Sequence, residues 1–241
     1  MNNENTPPQR EDEDDGWLLD YKDYNIATFE GPERQLYPGD FTPSTEVEAP
    51  SPLLTNRPLL ASVWPISWMI ALAYVSSYYH WSHPGSLSIS GHKAFVLGEY
   101  WRGVTALFAH GDFAHFLGNS WLLLVFGFWL HHVGGLLAFP WISLVVGVLT
   151  NLTTVAIYPP QVHLVGASGM AYAMVGMWLT WFLRYDSTPL AKRWLRVVAF
   201  TLVVMFPTTF RPEVSYLAHG VGFVYGVIAG LLFRPRVQPS T

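Results

Sequence analysis

Long apolar stretches separated by short polar punctuation dominate the chain from about residue 59 onward, with neither strand alternation nor a narrow helical stripe. A helix needs about 20 mainly apolar residues to cross the hydrocarbon core of a bilayer. Six segments approach that requirement: 59–79, 113–130, 136–157, 168–183, 195–209 and 216–233. The fourth and fifth are short, which is tolerated where neighbouring helices or water satisfy freed backbone groups. The pattern predicts an all-α membrane protein with a six-transmembrane-helix bundle over residues 58–234 and a short tail over 235–241.

Charge sharpens this picture. Of the 17 acidic residues, 13 lie between Glu4 and Glu48, leaving Glu99, Asp112, Asp186 and Glu213 for the remainder. Residues 1–57, with "EDEDD" and many prolines and glycines, read as a disordered acidic tail. Its sign of charge excludes nucleic acid as a partner, while "DDGWLLDYKDYNIATF", where aromatics interleave with acids, would suit docking to a protein partner. Arg184, Lys192, Arg193 and Arg196 lie between the fourth and fifth spans, and Arg234 and Arg236 follow the sixth. The excess of basic residues on the cytoplasmic side then puts both termini inside, although Lys93 and Arg102, in the long loop after the first span, count mildly against it. The leader is acidic and no secretory signal is expected, so the first span directs insertion. A bacterial plasma membrane is the simplest location. With no cysteine, the chain has no disulfide, thiolate metal site or cysteine nucleophile.

Polar residues inside apolar spans are costly and become functional hypotheses. Ser168 sits in "GASGMAY", where Gly166 and Gly169 flank it and Tyr172 follows one turn later. An isolated serine in such a helix usually bonds back to its own backbone. His219 opens the sixth span and is followed by Gly222, Gly226 and Gly230, a stripe along which another backbone can approach closely. Both residues fall at the outer ends of their spans, so an imidazole and a hydroxyl are brought to one depth. An imidazole that accepts the serine proton activates an otherwise weak nucleophile and later protonates the leaving group.

His115 and Asn119, four residues apart at the outer end of the second span, share one face. Their N–H groups suit an oxyanion, with the backbone N–H of Ser168 as a further donor. His110 and His115 make a poor metal signal with only Asp112 beside them, and Asp112 is better read as the helix N-cap. No metal or cofactor is called for. No carboxylate is placed to complete a triad, so a Ser168–His219 dyad is expected, with Tyr172 packing against and orienting the imidazole. Asn151, with Thr150, Thr153 and Thr154, is expected to bond between helices.

Taken together, Gly166-x-Ser168-Gly169 with Tyr172, Ala218-His219-x-x-Gly222-x-x-x-Gly226, His110-x4-His115-x3-Asn119 and Glu99-x-Trp101-Arg102 resemble the rhomboid intramembrane serine proteases. The resemblance covers about residues 59–233. It implies a six-helix rhomboid-like fold with Ser168 as nucleophile, His219 as general base and acid, His115 and Asn119 as oxyanion donors, and Tyr172 supporting His219. It further implies that Trp101 and Arg102 fix the loop after the first span, and that the substrates are single-span membrane proteins cut near the outer boundary of the lipid bilayer. One departure is His131-His132, where many relatives carry an acidic and then a basic residue. The alternative is a catalytically silent relative that binds and guides membrane clients. A channel or transporter would call for inverted repeats or midplane charge pairs, and neither is evident.

Overall fold

A computed structural model describes residues 59–186, 188–205 and 214–235. The acidic tail and its suggested docking segment lie outside the described residues, as do the end of the fifth expected span and all but the first residue of the tail at 235–241. Among the described residues the regular structure is helical. The helices are α1 (Leu59–Ser82), α2 (Arg102–Phe108), α3 (Phe113–Leu136), α4 (Ser143–Ile157), α5 (Ser168–Tyr185), α6 (Leu190–Met205) and α7 (Tyr216–Leu232). Two wide π-type segments, His92–Val96 and Leu137–Ile142, join them.

Helix ends follow local chemistry. Asp112, with extended backbone, accepts the His115 N–H at 2.8 Å and starts α3. Ser215 accepts the Ala218 N–H at 3.2 Å and starts α7. The long apolar run from Phe113 is interrupted where Gly135 takes φ 69° and Phe139 is extended, and the chain resumes as α4. Two helical stretches, Leu60–Ser82 and Phe113–Ile157, are long and apolar enough to cross a membrane, while Tyr216–Leu232 is apolar but shorter. By length and composition this is narrower than the six spans expected. The stretch Phe113–Ile157 takes in the second and third expected spans, whereas α5, with 18 residues that include Ser168, Tyr172, Thr180 and Arg184, is less apolar and is buried along most of its length.

The core is formed by α1, α3, α4 and α5 with contributions from α6 and α7. Helices α5 and α7 share the most extensive interface in the fold. Outside this core the exposed surface is strongly apolar. Leu60, Trp68, Tyr78, Trp121, Leu195 and Leu232 are all exposed. Contiguous apolar surface on this scale is unfavourable in water and natural against lipid.

Buried polar side chains are mostly tied to carbonyls or to each other. Thr150, Thr154 and Thr180 bond back one turn, while Asn151 Nδ2 donates to the Gly103 carbonyl at 3.0 Å and Thr153 pairs with Tyr225 at 2.9 Å. Asn151 and Thr153 therefore link helices, and Thr150 and Thr154 serve their own. His131 and His132 are both buried near the end of α3, where His131 Nδ1 lies 3.0 Å from Ser62 Oγ of α1 and His132 stacks on Phe128.

Candidate active site

The turn entering α5 is built around Gly166. Its φ of 112° belongs to the region that favours glycine, and its N–H donates to the Ala106 carbonyl of α2 at 2.8 Å. A Cβ at this position would lie 2.7 Å from His115 Cε1, 2.8 Å from His115 Nε2 and 3.3 Å from Asn119 Nδ2. The missing side chain is what lets both groups reach the turn. Two residues later Ser168, half-buried, opens α5.

Small residues bring α7 to the same place. A Cβ on Gly169 would meet the Ala218 carbonyl oxygen at 3.5 Å, and one on Gly222 would overlap the Gly169 carbonyl. One turn further, a Cβ on Gly226 would overlap the Ala173 carbonyl. Backbones thus touch along the stripe, and Ser168 and His219 stand at the same end of the α5–α7 interface. The His219 ring lies flat on Tyr172, with centroids 4.0 Å apart and planes 8° from parallel, and its edge approaches Tyr216 at 6.0 Å. Among the described residues no hydrogen bond joins Ser168 to His219. Catalytic hydrogen bonds are often long before substrate binds.

Asn119 is 4% exposed, and among the described residues its Nδ2 has no hydrogen-bond partner. A buried donor without a partner costs about 1–3 kcal/mol. Here that donor faces the turn preceding Ser168.

His110 has a larger place than its spacing suggested. Its Nδ1 lies 3.0 Å from Ser77 Oγ of α1, and its Nε2 faces the Ala167 N–H at 3.5 Å. With Nε2 accepting, Nδ1 carries the proton toward Ser77, so the ring ties α1 to the turn before Ser168. Its edge also meets the His115 ring at 5.2 Å. Among the described residues no three ligating side chains converge on a possible metal position.

The loop between α1 and α2 buttresses the same turn. Ile89 and Leu164 exchange backbone hydrogen bonds of 3.1 and 2.8 Å, and Ser88 Oγ lies 3.0 Å from His163 Nδ1. Arg102 holds the loop by donating to Glu99 at 2.5 Å, to the Ser88 carbonyl at 3.3 Å and to the Ser86 carbonyl. Its guanidinium also lies 4.4 Å from the centroid of the Trp101 ring. The pairing with Arg102 holds the Glu99 carboxyl below the usual range. His163 and Ser88 gave no sequence signal, since an isolated bridge between loops has no periodicity.

A rhomboid domain model matches residues 97–236. YdcA of Bacillus subtilis (strain 168), whose name marks it as a candidate rhomboid protease, is 26% identical over 149 residues, covering 60% of this chain and 73% of that protein. RHOMBOID-like protein 9, chloroplastic, of Arabidopsis thaliana is 37% identical over 84 residues, 35% of this chain and 19% of the relative. Rhomboid-like protease 2 of Toxoplasma gondii is 26% identical over 140 residues, 56% of this chain and 48% of the relative. The match spans about half of the Toxoplasma protein and less of the Arabidopsis one.

Proposed function

Because the chain belongs to the rhomboid family, and its relatives include proteins named as proteases, we propose that it is a membrane-embedded serine endopeptidase cutting transmembrane segments of other membrane proteins. In this reading it crosses the bilayer six times with both termini cytoplasmic, and the Ser168 end of α5 faces the outer side.

Ser168 Oγ attacks the scissile carbonyl carbon while His219 takes the hydroxyl proton. The oxyanion is met by His115 Nε2–H, Asn119 Nδ2–H and the Ser168 backbone N–H. Collapse of this intermediate breaks the C–N bond, and the leaving amine takes the proton from His219. Water, deprotonated by the same imidazole, then hydrolyses the acyl-serine. Tyr172 keeps the imidazole plane fixed, the part a carboxylate plays in a triad.

The observation that carries the reading is the close approach of His115 and Asn119 to the space where Gly166 has no side chain, two residues before Ser168. A buried carboxamide and a half-buried imidazole facing a glycine turn would serve a charge that develops only during reaction. The test is labelling of the purified protein in detergent with a fluorophosphonate serine-hydrolase probe, followed by peptide mapping. An adduct on Ser168, absent in Ser168→Ala of normal fold and membrane insertion, is expected. A properly folded protein that neither takes the probe nor cleaves a reporter transmembrane substrate would leave the silent client-binding reading in its place.

A further inference from the structure

Toward the opposite end of α5 from Ser168, about 15–21 Å along the helix axis, a cavity of about 200 Å³ opens between α5 and α6, lined by Trp178, Phe182, Arg196 and Val197. Its wall on α5 consists of the Trp178 and Phe182 rings, stacked with centroids 5.3 Å apart and planes 14° from parallel. Val197 closes the α6 side and is itself buried. Three of the four described lining side chains are therefore apolar, and the fourth is an exposed guanidinium.

Among the described residues that cation has no partner. Arg196 makes no hydrogen bond or ion pair among the described residues, nor does Lys192, which lies one turn earlier on the same side of α6. The need for a positive group at the C-terminus of α5 is already met by Arg193, whose guanidinium donates to the Leu183 carbonyl at 2.7 Å. The side of α6 turned away from α5 carries the exposed Trp194, Leu195 and Val198, a surface suited to hydrocarbon.

We propose that this cavity binds an anionic phospholipid: one acyl chain enters against Trp178, Phe182 and Val197, and the headgroup phosphate is held by Arg196 and Lys192. A guanidinium matches phosphate oxygens in paired hydrogen bonds, and two adjacent cations favour a headgroup that brings no ammonium of its own. Basic residues at a leaflet surface attract anionic lipid in the same way. A soluble phosphate would make no use of the apolar lining, and an apolar segment alone would make none of the cations. This inference needs only that the chain resides in a membrane and stands apart from the proteolytic reading.

The experiment is native mass spectrometry of the full chain released from detergent after incubation with equal amounts of phosphatidylglycerol and phosphatidylcholine. The wild type is expected to retain one phosphatidylglycerol in preference to phosphatidylcholine. Arg196→Gln should lower phosphatidylglycerol retention roughly fivefold, the weight one basic residue carries at an anionic surface, while Arg234→Gln, beyond α7, should leave it unchanged. Val197→Phe, which fills the cavity and keeps every charge, should lower retention of both lipids. Equal retention of the two lipids by the wild type, no effect of Arg196→Gln, equal losses in Arg196→Gln and Arg234→Gln, or displacement of lipid by a second copy of the chain would each overturn the proposal. Circular dichroism checks the fold of each variant, and Arg196→Gln, an exposed change, decides the matter should Val197→Phe misfold.

Discussion

The imidazole of His219 rests face to face on the phenol ring of Tyr172, 4.0 Å between centroids, across the interface between α5 and α7. A stacked neighbour restricts rotation of the ring without supplying charge, so under the proposed function His219 would be held in place without a third ionisable group. Such an aromatic contact contributes about 0.5–1.5 kcal/mol beyond its buried area. Tyr172→Ala should therefore lower kcat/KM for a transmembrane reporter by roughly two- to tenfold, and Tyr172→Phe, which keeps the stacked ring, should lose less. Steady-state cleavage rates of the two variants in one detergent check this. Equal losses would move the effect from the ring to the hydroxyl.

The approach of α7 to α5 depends on Gly222 and Gly226, where an added Cβ would run into the carbonyls of Gly169 and Ala173. Backbone cannot give way as a flexible side chain can, so the helices must separate. Gly222→Ala should destabilise the fold by about 1–3 kcal/mol, in the range of overpacking a close contact, and should displace His219 from Ser168. Gly220→Ala is the control, because nothing lies within 4 Å of its added methyl. Thermal unfolding in detergent should show a clear drop for the first and little change for the second.

Much of this arrangement is legible in the sequence, because apolar density marks helices and glycine at a spacing of four marks a face. The stripe that follows His219 comes from the second rule, while Ser168, His115 and Asn119 stand out as polar residues inside or at the mouths of apolar spans. What fails to show is instructive. Helix α6 begins at Leu190, ahead of the expected Leu195. Its first two turns carry Lys192, Arg193 and Arg196, charges that read as loop although they occupy a helix. The segment after α1 reads as loop and contains α2, a helix of only 7 residues. His131 and His132 mark a helix end in sequence, whereas the partner of His131 is Ser62, 69 residues earlier. Long-range partners of single polar residues have no periodic signature.

Asn119 separates stability from activity. Its buried Nδ2 has no partner among the described residues of the resting protein, so removing it discards a desolvation cost, while an oxyanion would lose one donor. Asn119→Ala should leave thermal stability unchanged or slightly raised, because a small cavity offsets the relief. Its kcat should fall by about 10²–10³, the usual weight of one such donor, with activity remaining through His115 and the Ser168 backbone. A marked loss of stability would mean that Asn119 is a structural crosslink instead.

The pair Ser88–His163 predicts a pH dependence of its own. Desolvation first, then the positive charges of Lys93 and Arg102, hold the His163 imidazole below its ordinary pKa. The Lys93 ammonium also lies 3.3 Å from the same Ser88 hydroxyl, so a protonated His163 would put two cations on one oxygen. The sign follows from linkage. With the folded pKa depressed, the unfolded chain binds a proton more readily, and stability is fully present above the unfolded value of about 6.5. It declines as pH falls below that value and levels off once the folded form also takes the proton. His163→Gln keeps a polar partner for Ser88 and removes the titration. Unfolding temperatures measured between pH 8 and pH 5 should fall less steeply for His163→Gln than for the wild type. The bridge between Ile89 and Leu164 lies beside this pair, so hydrogen exchange at the Leu164 amide should quicken at acid pH in the wild type and stay slower in the variant. Parallel curves for the two proteins would assign the acid sensitivity to other histidines.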